Sequence, residues 1–260
     1  MMKKIFQHVW LWLVLLFLYF PVLVLVFYSF TSNTMIGEVR EFSLSNYVTL
    51  FTEEELLFMM GGTFLLAIVV GIISTILGTM GAIGVNYSRR RVRIPVELFN
   101  QVPIVNADVV TGFSLCVLLV VLFGCDKDTY IPLVIAQTAL CTPFVYLSVV
   151  PRLKQMDNSL YEAALDLGCS PRLALFKVTI PHIFPGIVSG FMTAITLSLD
   201  DYFIATYLKP ATFDTISTYV VNATRGARTE IKTALWALST VIFLFVVGAV
   251  VVMNLKKEEE

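Results

Sequence analysis

The sequence predicts an all-α polytopic membrane protein with six transmembrane helices and both termini in the cytoplasm. Three observations carry that expectation: apolar residues far outnumber charged ones, six apolar runs reach membrane-crossing length, and Lys and Arg are unevenly shared between the connecting segments. Of 260 residues, 57% are hydrophobic and 14% charged, against roughly 45–50% and about 25% in soluble globular chains. With 18 Lys+Arg and 19 Asp+Glu, the chain has too few charges to clothe a water-facing surface of this size. A formal net charge of −1 provides no basic face, so no nucleic-acid partner is expected.

A helix needs about 17–25 apolar residues to cross a hydrocarbon core roughly 30 Å thick. Runs near 9–30, 61–85, 102–123, 131–150, 183–207 and 234–254 meet that length, and together they hold only three formal charges: Asp108, Asp200 and Asp201. The first run follows Met1-Met2-Lys3-Lys4 in the manner of a signal peptide. It outlasts an h-region and is followed by no small-x-small cleavage site, so it is expected to stay as the first helix. In the second run Gly71, Thr75 and Thr79 recur every four residues, with Gly78 and Ala82 on a neighbouring line. Such small-xxx-small patterns let helix backbones approach closely, within the subunit or against a partner. Pro21, Pro103, Pro132, Pro143 and Pro185 punctuate the runs or their ends, where kinks are tolerated if neighbours satisfy the freed carbonyls. Trp10 and Trp12 near the inner boundary and Trp236 near the outer one suit an aromatic belt.

Twelve of the 18 basic residues collect on one side: Lys3, Lys4, Arg89, Arg90, Arg91, Arg93, Arg152, Lys154, Arg172, Lys177, Lys256 and Lys257. The positive-inside rule places that side in the cytoplasm and reads the Arg89–Arg93 run as a topology anchor. Cys116, Cys125, Cys141 and Cys169 show no Cys-x-x-Cys spacing and have no nearby His, so neither a metal nor a disulfide is expected. His8 and His182 stand alone. No repeat or low-complexity linker divides the chain, and a single transmembrane domain over 1–260 is expected. The outer loops 31–60 and 209–233 are long enough to meet an extracytoplasmic partner.

The cytoplasmic loop 151–182 is longer than a hairpin needs and carries its own helix punctuation. Ser159-Leu160-Tyr161-Glu162 has the capping-box pattern, in which the Ser hydroxyl and Glu carboxylate each satisfy a free N–H at a helix start. Leu160, Ala163, Ala164 and Leu167 then share a face. Gly168 suits the left-handed position that ends a helix, and Ser170-Pro171 supplies the next N-cap and first turn. That second helix, near 171–178, is expected to stop before Pro181. A short helix, a Gly turn and another short helix with an apolar face suit a groove on another protein, or alternatively the lipid headgroups.

Glu162-Ala163-Ala164, Gly168 after three residues, and Val178-Thr179-Ile180-Pro181 after nine more resemble the EAA loop of ABC-importer permeases, E-A-A-x3-G-x9-I-x-L-P. Val178 and Ile180 stand where that pattern favours Ile and Leu. The resemblance implies a type I importer fold in which Glu162, Ala163, Ala164, Gly168 and Pro181 belong to a coupling element docked on a cytoplasmic ATPase subunit. The chain has no Gly-Lys pair and hence no P-loop for ATP phosphates. No cofactor is therefore expected in this chain, which is not an enzyme on this reading; ATP and its Mg belong to the partner.

A carboxylate near mid-bilayer costs about 2.5–3.5 kcal/mol on insertion scales, so such residues usually face the interior and mark a pathway. All three here are acidic, which suits a cation. Asp200 and Asp201 lie about 100° apart around a helix, so one can line a path while the other bonds to a neighbouring backbone or hydroxyl, for instance near Ser198. Counted along a continuous third helix from residue 102, Asp108 lies roughly 9 Å in from the cytoplasmic end, or about 12 Å further out if that helix starts near Ile94. Asp201 lies roughly 27 Å in. Charges spaced along a path suit an elongated cation with several ammonium groups, and Tyr202 and Tyr19 offer aromatic faces for them.

Ser198-Leu199-Asp200-Asp201 after an EAA loop, with Asn106-Ala107-Asp108-Val109-Val110 in the third run, resembles the spermidine/putrescine importer permeases of the PotC type, which carry S-x-D-D and P-D-I-V segments. Asn106-Ala107 replaces the usual Ser-Pro of that family. The resemblance implies a polyamine substrate, a second homologous permease subunit, two ATPase subunits, an extracytoplasmic polyamine-binding protein and a place in the bacterial cytoplasmic membrane. Another organic cation carried by the same machine, or an ion-coupled carrier with the Asp residues as proton or Na⁺ sites, are the competing readings; the EAA loop argues against the carrier.

Overall fold

The structure is a computed structural model and describes residues 2–31, 41–225, 235–241 and 243–244. Regular structure among them is helical, apart from an isolated antiparallel bridge between Thr31 and Phe42. Contacts divide the chain into two compact units, Met1–Phe58 with Val220–Glu260, and Met59–Tyr219.

In the first unit, α1 (Met2–Ser29) contains the apolar span Trp10–Ser29. Along that span the side chains are apolar and mostly exposed, Trp12, Leu16, Phe17 and Phe20 among them. That pattern belongs to a helix whose surroundings are lipid or another membrane subunit. The end of α1 is tied to α2 (Ser45–Thr52) by buried Asn46, whose amide donates to the carbonyls of Ser29 at 3.0 Å and Thr31 at 2.9 Å. One side chain thereby satisfies two carbonyls that the end of α1 leaves open. Phe30 stacks on Phe42 and packs beside Tyr47, closing the same junction.

The second unit holds most of α3 (Glu54–Asn86), then α4 (Arg90–Val105), α5 (Asp108–Cys116) with a π-helical continuation Val117–Leu122, and α6 (Ile131–Gln155). There follow α7 (Asn158–Asp166), α8 (Pro171–Ala174), a π-helical turn Leu175–Thr179, α9 (Ile180–Asp200), α10 (Phe203–Leu208) and the start of α11 (Ile216–Arg225). Its core lies along α6, where Leu133, Gln137, Cys141, Val145, Val149 and Leu153 form a buried stripe at four-residue spacing. The antiparallel α9 meets that stripe with Gly186, Gly190, Ala194 and Ser198, also four apart and all buried. The approach is close: a Cβ on Gly190 would lie 3.0 Å from Val145 Cγ1, and Cys141 Sγ reaches the Ala194 carbonyl at 3.6 Å. The second expected run of small residues packs within the subunit too, Gly71 against Phe191 and Ile195, and Gly78 against Thr142 and Val145.

Among the described residues four helices are long and apolar enough to cross a membrane, Trp10–Ser29, Glu54–Asn86, Ile131–Gln155 and Pro171–Asp200, with a fifth crossing if α4 and α5 count as one. Most of the expected sixth span, 234–254, lies outside the described residues, although 235–241 and 243–244 are helical. Three expectations are corrected. The third run, 102–123, is not one helix: α4 and the helix beginning at Asp108 meet at 105°, because Asn106 and Ala107 are extended. The fifth, 183–207, breaks at extended Asp201, and α10 starts two residues later. The helix after Ser170 does not stop before Pro181 but runs on from Pro171 to Asp200. The wider turn Leu175–Thr179, closed by the Ile180 N–H on the Leu175 carbonyl, accommodates the proline that would break a regular ladder.

Replacing Gly78 by Val forces a Cβ to within 2.7 Å of Val145 Cβ and 3.0 Å of the Thr142 carbonyl. The expected loss is about 1–3 kcal/mol, seen as a lowered unfolding temperature in detergent. The same change at Gly84, where a Cβ meets nothing within 4 Å, leaves that temperature unchanged.

Candidate functional site

Two short helices carry the acidic residues. Along α5, a Cβ on Gly112 would lie 3.3 Å from the Ile204 N of α10, Phe113 meets Tyr207 edge-on, and Cys116 Sγ reaches the Tyr207 carbonyl at 3.6 Å. Residue numbers rise together across these contacts, so α5 and α10 run parallel. Asp108 is the first residue of α5, and Asp201 directly precedes the start of α10. The two are near enough for the charge of Asp108 to act on Asp201. A negative charge is favoured at such positions, where unpaired N–H groups give the helix start its partial positive charge.

The two neighbouring acids differ in exposure. Asp201 is 9% exposed. Its carboxylate accepts from Gln137 Nε2 at 2.8 Å, from the Ile204 N–H at 3.0 Å and from the Ala205 N–H at 3.0 Å. It is therefore the group that satisfies the first turn of α10, and Ser198 reaches it only through Gln137, donating to Gln137 Oε1 at 2.8 Å. Asp200, the last residue of α9, is exposed, as is Asp108. An acid at the carbonyl end of a helix adds to the negative end of the dipole, so the Asp200 position concentrates potential that a cation relieves. Tyr202 sits half-buried beside them, edge-on to Phe203. Tyr19 belongs to the first unit, where it is half exposed and near the Phe243 ring.

Gln137 is a site residue to which the charge pattern of the spans does not point; its signal in the sequence is a neutral amide in a largely apolar run, which membrane helices bury only with partners.

In the loop, α7 is capped two residues earlier than the expected box. Asp157, not Ser159, is the N-cap, and its carboxylate accepts from the Ser159 N–H at 2.9 Å. That backbone bond, with the Ser159 side chain second, holds the Asp157 carboxyl below its ordinary range. The other end matches expectation. Gly168 has φ +86°, its N–H bonds to the Leu165 carbonyl, and the Cys169 N–H bonds to the Ala164 carbonyl. This is the Schellman arrangement, which glycine adopts without Cβ strain. Ser170 then accepts from the Leu173 N–H, and Pro171 opens the next turn. Ala164 is buried and Tyr161 packs on Tyr87, whereas Leu160, Glu162, Ala163 and Leu167 are exposed; Pro181, in the first turn of α9, is exposed as well. The outward apolar face has no covering element among the described residues.

Broken apolar helices headed by acids, joined to a helical loop with an uncovered face, suit a membrane transport subunit. Residues 67–257 match the family described as binding-protein-dependent transport system inner membrane component, and the chain belongs to that family. It is 34% identical over 232 residues to the putrescine transport system permease protein PotI of Escherichia coli (strain K12), covering 87% of this chain and 81% of that one. It is 26% identical over 256 residues to the spermidine/putrescine transport system permease protein PotC of Haemophilus influenzae, covering 98% and 97%. Its fold matches a chain of a bacterial ABC transporter involved in the import of the acidic polysaccharide alginate, with TM-score 0.73, 19% identity and 98% of each chain covered.

The lowered pKa of the Asp157 carboxyl predicts how the loop responds to pH. The cap contributes while the carboxyl is ionised, so amide-exchange protection over 159–161 stays constant down to about pH 4, the unfolded value of Asp. Protection falls as pH drops below that through the lower folded value. Asp157→Ala removes the same protection at neutral pH.

Proposed function

We propose that this permease component of an ABC importer carries polyamines, putrescine or spermidine, inward across the bacterial cytoplasmic membrane. The observation that carries the reading is the exposure of two carboxylates, Asp108 and Asp200, at helix breaks in a chain whose six apolar runs hold no Lys or Arg. An exposed ionised carboxylate is unsuited to lipid, so its exposed face belongs to a path or to another subunit. Linear polyamines supply several ammonium groups at fixed spacing. The names of the two permease relatives point to the same cargo.

On this reading Asp108 and Asp200 meet the ammonium groups, Asp201 adds its charge from behind, and Tyr202 offers an aromatic face. A second homologous permease completes the path, and an extracytoplasmic binding protein delivers the cargo. Two cytoplasmic ATPase subunits bind ATP and Mg and engage the loop through the exposed face of α7, with Glu162, Ala163, Ala164, Gly168 and Pro181 in the coupling element. Both termini lie in the cytoplasm, and six helices cross the membrane.

Reconstitution with the partner subunits tests both halves. Asp200→Asn and Asp108→Asn are each expected to lower polyamine uptake about tenfold, or ~1.4 kcal/mol, with subunit assembly intact; uptake at the native rate removes the acidic path. Gly168→Val imposes about 1–2 kcal/mol of left-handed strain and is expected to leave ATP hydrolysis uncoupled from uptake, whereas unaltered coupling removes the assignment of the loop.

A further inference from the structure

Gln137 is wholly buried on α6, with both ends of its amide in use. Its Nε2 donates to Asp201 Oδ2 and its Oε1 accepts from Ser198 Oγ, both at 2.8 Å. With the Ile204 and Ala205 N–H groups, three donors converge on the Asp201 carboxylate. The preceding residue, Asp200, is exposed. We propose that Gln137 is a positioning residue: it turns Asp201 inward as the cap of α10 and so leaves Asp200 and Asp108 as the carboxylates presented to cargo. The identity of that cargo rests on the polyamine reading above, whereas the orientation of Asp201 rests on the geometry alone.

The chemistry of the position is narrow. A leucine fills the space but leaves Ser198 without an acceptor and Asp201 without a donor. A lysine neutralises Asp201 and removes the acceptor for Ser198. A glutamate puts two carboxylates at hydrogen-bond distance, stable only while they share a proton. Glutamine alone among these is neutral and both donates and accepts. Other titratable groups around Asp201 are Cys141 on α6, Asp108 on α5, and its chain neighbours Asp200 and Tyr202. None of them is altered in the variants below.

The test is carboxyl labelling of the complete transporter in membrane vesicles, with a water-soluble carbodiimide and an amine, read by peptide mapping. In the native protein Asp200 is expected to label and Asp201 to be protected roughly tenfold. Gln137→Leu is expected to bring Asp201 labelling up to that of Asp200, and Ser198→Ala, a milder change should the first variant not fold, to raise it part of the way. Equal labelling of both acids in the native protein, or continued protection of Asp201 in both variants, overturns the proposal. Polyamine uptake by Gln137→Glu is expected to fall as pH rises and the shared proton is lost while native uptake stays level; parallel profiles also overturn it. Absence of polyamine uptake by the native transporter overturns the cargo reading alone, since the labelling still decides the role of Gln137.

Discussion

The larger unit depends on how closely α6 and α9 approach one another. Lipid provides no hydrophobic drive for two apolar helices to associate, so packing and interhelical hydrogen bonds must hold them. Gly186, Gly190 and Ala194 remove the side chains that would keep the backbones apart. The antiparallel register that seats Gly190 on Val145 and Ala194 on Cys141 brings Ser198 opposite Gln137 one turn further along. A polar bridge at the end of a tight apolar seam is therefore a consequence of the seam, and Asp201 is held where that bridge ends.

Beyond the seam, two of the apolar runs are interrupted among the described residues, and at the second the acid itself takes up freed backbone groups. A break in a membrane helix exposes N–H and C=O groups that water cannot reach. At the α9–α10 break the Asp201 carboxylate takes two of those N–H groups. At the α4–α5 break Asn106 donates its side-chain amide to Thr111, and Asp108 lies in the first turn of the following helix. The parallel packing of α5 and α10 places the breaks side by side. Acids that look in the sequence like isolated charges in apolar runs belong to one structural feature, the paired starts of two short helices.

The apolar runs, the helical loop and the glycine that ends α7 were all legible in the sequence, because length, composition and the need for a left-handed residue leave direct traces. The breaks at Asn106–Ala107 and Asp201 left none in hydropathy, since the residues on either side are equally apolar. Pro181 was misread for a related reason: a proline forbids one backbone bond, but the wider turn Leu175–Thr179 supplies another ladder. The cap of α7 moved from Ser159 to Asp157 because both are competent caps within one turn, and the backbone chooses between them. Gln137 was missed because its significance lies in a partner 64 residues away.

The helix from Pro171 to Asp200 also has a mechanical meaning. Its 30 residues make a rod about 45 Å long at 1.5 Å per residue. One end abuts the Gly168 turn and the other ends at the acidic break, so a tilt or axial shift passed on by the turn Leu175–Thr179 reaches Asp200 through continuous helix. Compliance is concentrated in the π-helical turn near the loop end, where the ladder is already loosened. Such a rod behaves as a stiff lever with a soft grip, and a small rotation at the grip becomes a larger sweep at the far tip.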